Sequence, residues 1–139
     1  MKRALFVLLV LFLTAAAAGV PASAHHSFGA VYFEDESVTI EGELVEFQLR
    51  NPHCWVYFMA KDGNGEMQKY GAEWANASRL KQAGMNEQTL RPGDIIVVTG
   101  SPGRKAEEHK MHLKRIVRPS DGWTWGGGRN DSGGRGGRR

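Results

Sequence analysis

The chain has 139 residues, 41% of them hydrophobic and 24% charged, with a formal net charge of +3 and a single cysteine. Without Lys2 and Arg3, which belong to the leader read below, sixteen basic side chains face fifteen acidic ones. That balance lacks the electrostatic footprint of a nucleic-acid binder. The lone Cys54 excludes an intrachain disulfide, so a single small domain must be held by packing.

Lys2 and Arg3 form a short positive start, and residues 4–19 are an uncharged run of Leu, Val, Phe and Ala. Its strongest stretch, residues 5–13, is short for a span that needs ~20 apolar residues. Ala22-Ser23-Ala24 then supplies a small-x-small cleavage site. Residues 1–24 are therefore read as a cleavable signal peptide that sends the chain to the periplasm. The mature chain would begin at His25 and carry no transmembrane span, and the alternative is an uncleaved anchor.

Period-two patterning dominates the middle of the chain. Val38, Ile40 and Leu44 alternate with polar residues, after which the apolar phase slips to Val45, Phe47 and Leu49, with Gly42 just before the slip. A long strand that bends at a glycine or a bulge accounts for this. Arg50-Asn51-Pro52 signals a turn, residues 53–61 a second strand, Asp62-Gly63-Asn64-Gly65 a hairpin turn and residues 67–74 a third strand. Asn76 is a suitable N-cap for a short helix over residues 77–83, with Gly84 as its C′ residue. Arg91-Pro92-Gly93-Asp94 leads into a β-branched fourth strand at residues 95–99, and residues 110–117 make a fifth. Three strands, a helix and two more strands is the order of an all-β, five-stranded Greek-key barrel of the OB type, placed at residues 25–119. From Ser120 onward the Gly- and Arg-rich sequence reads as a disordered tail, a candidate to touch anionic envelope surfaces.

Cleavage after Ala24 would give His25 a free amine beside its imidazole. Two such nitrogens can chelate a metal ion, with His26 adding a third, and copper suits that donor set. The bland alternative is a solvated N-terminus. On the second strand Cys54, Val56, Phe58 and Ala60 are compact and apolar, whereas His53, Trp55, Tyr57 and Met59 are large and amphipathic, and strand geometry sends the two sets to opposite faces. If the compact set packs the barrel, His53 becomes a further metal ligand. Trp55 and Tyr57, with Glu73 of the third strand, form a face that could dock an envelope protein, a glycan or a small ligand. The competing use of that face is burial beneath residues 28–33, a cover that would also bring His25 and His26 toward His53. His109 and His112 at a spacing of three do not share a strand face. No nucleophile–base pair or paired carboxylates stand out, so the expectation is a binding protein and not an enzyme.

Ala24-His25-His26-Ser27-Phe28, Asn51-Pro52-His53 and Arg91-Pro92-Gly93-Asp94 together resemble a family of small exported Gram-negative proteins known as domain of unknown function 6152, over about residues 24–118. The resemblance implies a periplasmic location and a small β-barrel, with His25, His26, Asn51 and His53 as matched motif positions. It assigns no activity. Cys54, where an aliphatic residue is commoner, and the Gly/Arg tail depart from the family's usual pattern.

Overall fold

Strand β1 (Val38–Gln48) is long because it serves two neighbours. Its first half, from Val38 to Glu43, pairs antiparallel with β4 (Ile95–Pro102), and from Glu43 to Gln48 it pairs with β2 (Trp55–Lys61). To turn from one to the other the strand must coil, and two local devices allow it. Gly42 sits where a Cβ would run into the Met59 carbonyl oxygen and lie 2.7 Å from the Phe58 ring. A bulge between Leu44 and Glu46 then extrudes Val45, which is 40% exposed. The slip in apolar phase is thus a real bulge, but Val45 does not continue the apolar set: it is the unpaired extra residue, and the inward phase resumes at Phe47.

The computed structural model describes residues 28–127. Within them β2 pairs with β3 (Met67–Glu73) across a hairpin, β4 pairs with β5 (Lys110–Arg118), and a parallel pairing of β3 with β5 closes the barrel. This is the closed five-stranded Greek-key barrel of the OB type that the element order implies. Cys54, Val56, Phe58 and Ala60 all point inward, as the alternation requires, and meet Ile96, Val98, Met111 and Ile116 in the core. Helix α2 (Ala77–Gln82), capped by the Asn76 side chain accepting from the Arg79 N–H at 2.8 Å, contributes Ala77 and Leu80 to that core.

Two segments lie outside the barrel proper. Before it, α1 (Phe28–Val31) and the residues that follow run along the β4–β5 connection, where the Phe33 N–H donates to the Pro102 carbonyl and the Arg104 N–H to the Val31 carbonyl, each at 2.9 Å. After it, β6 (Trp123–Gly126) extends the sheet beyond β5. This corrects the placement of a disordered tail from residue 120. The two tryptophans outweigh the glycines around them: Trp125 packs edge-to-face with Trp74 at 4.8 Å between ring centroids, and Thr124 Oγ1 donates to the Ile116 carbonyl. The signal peptide expected at residues 1–24 and the rest of the expected tail lie outside the described residues.

Candidate functional site: a buttressed histidine pair

His53 immediately precedes the buried Cys54, and its side chain takes the outer face of β2 together with Trp55. On β3, Glu73 is the register partner of Trp55 and shares that face. Its carboxylate divides between two neighbours: Oε1 takes His53 Nδ1, and Oε2 accepts from the Tyr32 hydroxyl at 2.5 Å. A carboxylate only accepts, so Nδ1 of His53 carries the proton of this contact, and the neutral tautomer that fits it has its lone pair on Nε2. Tyr32 is 1% exposed. Burial, then the hydrogen bond to Glu73 and its charge, raise the phenol far above its ordinary value, and it stays a donor.

Barrel closure supplies the second histidine. The parallel pairing of β3 with β5 sets His112 beside Glu73. Its Nδ1 lies 2.7 Å from Glu34 Oε1, while Lys114 holds Glu34 Oε2 at 2.5 Å and approaches His112 Nδ1 at 2.9 Å. Lys114 can reach back because the β4–β5 register shifts between Thr99 and Gly100, which leaves Lys114 as the extra residue on β5. Burial lowers the His112 pKa below 6.5 in spite of Glu34, so the ring is neutral near pH 7. Burial pushes the Glu34 carboxyl up, but the hydrogen bonds from Lys114 and His112 outweigh it and hold the group below the usual carboxylate range.

Phe28 joins the two histidines. Its ring stacks on His112, with centroids 3.9 Å apart and planes 4° from parallel, and tilts over His53 at 5.3 Å. Beside this aromatic group opens a cavity of about 390 Å³, whose walls include His53, His112, Trp74, Trp125, Arg79 and Lys114.

The residues singled out in the sequence fall into three groups. His53 and Glu73 meet directly. Trp55 and Tyr57 stack on each other at 5.8 Å over Gly71, with Lys69 Nζ 4.8 Å from the Tyr57 ring centre, and neither lines the cavity. Glu73, with both oxygens engaged, belongs with the histidines and not with that aromatic platform. Asn51 ties the β1–β2 turn to helix α2, its Oδ1 accepting from the Ala77 N–H at 3.2 Å. Cys54 is buried and free, its thiol donating to the Arg50 carbonyl, and burial raises its pKa. His25 and His26 lie outside the described residues.

Sequence reasoning missed the roles of His112, Glu34, Tyr32 and Lys114. His112 is visible only once β5 is placed against β3, and Glu34 only once the N-terminal segment is seen to cross β5. His109 is not on a strand at all: it caps the 3-10 turn Ala106–Glu108 in the left-handed region, at φ 47°, with its ring edge on Tyr70. Among the described residues no group of three or more His, Cys, Asp or Glu side chains is arranged to hold a metal ion, and no helix is long and apolar enough to cross a membrane.

The structure is similar to the mitochondrial single-stranded DNA binding protein Rim1 of S. cerevisiae, with a TM-score of 0.42 and 14% sequence identity, over 58% of this chain and 90% of that one. No curated protein matches the sequence. The model of the family of unknown function DUF6152 matches residues 13–112, most of the chain, and the protein belongs to that family.

Proposed function

We propose that this is a periplasmic binding protein that holds a transition metal ion, copper by its donor chemistry, through His25, His26 and the Nε2 of His53. The observation that carries the reading is the seat of Phe28 against His53. His26 and His25 are two and three residues upstream of it, so at ~3.5 Å per residue both are within about 11 Å of the Phe28 backbone. Glu73 supports the reading as well, because a carboxylate on Nδ1 orients an imidazole and raises the basicity of its other nitrogen. Imidazole and amine nitrogens are donors that copper accepts readily. The amine exists only if export removes residues 1–24, which makes the signal peptide part of the proposal.

The test is a competition titration of the mature chain with copper(II). The wild type should bind one ion tightly, His25→Ala should abolish that binding, and His53→Ala should weaken it at least tenfold. Undiminished affinity in both variants would refute the reading. The role proposed is binding.

A further inference from the structure

The two histidines of the cluster are held in the same way. Nδ1 of His53 meets Glu73, and Nδ1 of His112 lies 2.7 Å from Glu34 Oε1. Lys114 also stands 2.9 Å from Nδ1 of His112, but its charge is engaged by Glu34 Oε2 at 2.5 Å, and Glu34 is the closer partner of the ring. The neutral tautomer that fits a carboxylate at Nδ1 has its lone pair on Nε2. A carboxylate in that place orients an imidazole and raises the basicity of its other nitrogen, the arrangement found behind most metal-ligating histidines. Both rings line the one cavity, and the Phe28 ring packs against both. Its stack covers a face of His112, whereas the Nε2 lone pair lies in the ring plane, so the stack does not cap it.

We propose that His112, through Nε2, is a further ligand of the metal ion, so that the barrel supplies two imidazoles and the N-terminal segment the remaining donors. The inference rests on the metal reading above and adds a residue to it. The tether that brings His25 and His26 toward His53 brings them at least as close to His112, because Phe28 is nearer to that ring, at 3.9 Å between centroids against 5.3 Å. Two imidazoles do not close a site by themselves, and among the described residues no third His, Cys, Asp or Glu completes one. The imidazoles and amine of the N-terminal segment would complete it, and a set made of nitrogen donors suits copper(II). His53 stands at the head of β2 and His112 on β5, so the ion would join the two sides of the β3–β5 closure.

Copper(II) is the probe, added to the mature chain in a competition titration, with pulsed EPR of the one-to-one complex to count the coordinated imidazoles. Two replacements are compared: His112→Phe keeps a flat ring for Phe28 to stack on, and His112→Gln keeps a hydrogen-bonding group for Glu34. Each should weaken copper binding about tenfold or more and leave one coordinated imidazole fewer than in the wild type, with the circular dichroism of the metal-free protein unchanged. Wild-type affinity and imidazole count in both variants, alongside weakened binding in His25→Ala and His53→Ala, would overturn the inference and leave the metal reading standing. Weakened binding with an undiminished imidazole count would make His112 a packing residue and overturn it too. Wild-type binding in all four variants would refute the metal reading itself, and this inference with it.

Discussion

Two side chains in the cluster carry consequences that can be measured one at a time. His112 has a folded-state pKa below its ordinary 6.5, first because it is buried. The unfolded chain therefore takes up a proton there before the folded chain does, so stability is full above about 6.5 and falls as the pH drops below it toward the folded value. The lowered carboxyl of Glu34 acts in the same direction at lower pH. The imidazole signal of His112 should titrate below 6.5 by NMR, and His112→Gln should flatten the loss of denaturation midpoint between pH 7 and pH 5.5. Trp74 poses a different case. It is 1% exposed and its Nε1 has no hydrogen-bond acceptor among the described residues. Removing an unpaired donor is nearly free while removing the ring leaves a hole. Trp74→Phe should shift urea stability by no more than about 1 kcal/mol, against about 3–5 kcal/mol for Trp74→Ala.

Among the elements, β1 decides whether a barrel can form. Its coil depends on Gly42, because any Cβ there meets the backbone of β2, which cannot step aside as a flexible side chain would. Gly42→Ala should cost about 1–3 kcal/mol in equilibrium denaturation, as overpacking does. The sequence located this bend from its glycine and its slipping phase, and it located the β2–β3 turn and the Asn76 cap, since each is written in neighbouring residues. It could not show which residue the bulge would extrude, because Val45 is as apolar as its neighbours and only the pairing with β2 decides. Strand β6 was hidden for a related reason. Glycine-rich composition argues against burial, and the contact that overrides it, Trp125 on Trp74, joins residues far apart in sequence. Trp125→Ala should lower stability by about 1 kcal/mol or more, the scale of an aromatic pair.

For the whole molecule, the candidate site is a product of barrel closure. His53 and Glu73 were legible because adjacent strands of one hairpin share a face, and alternation alone sorts their side chains. His112 was not, because the parallel β3–β5 pairing that sets it beside Glu73 joins two strands that do not follow one another in sequence and comes only with closure of the barrel. Glu34 and Phe28 reach the site from a segment that precedes the barrel and docks across its outside, so strand periodicity does not mention them. The same route gives the functional proposal its force: the segment that seats Phe28 on His53 is continuous with His26 and His25.

The most direct test is native mass spectrometry of the protein isolated from the cell envelope. The expected species begins at His25 and carries one copper ion. A chain that begins at another residue, or an equal copper load on a chain still carrying residues 1–24, would contradict the proposal, because the chelating amine of His25 would then play no part.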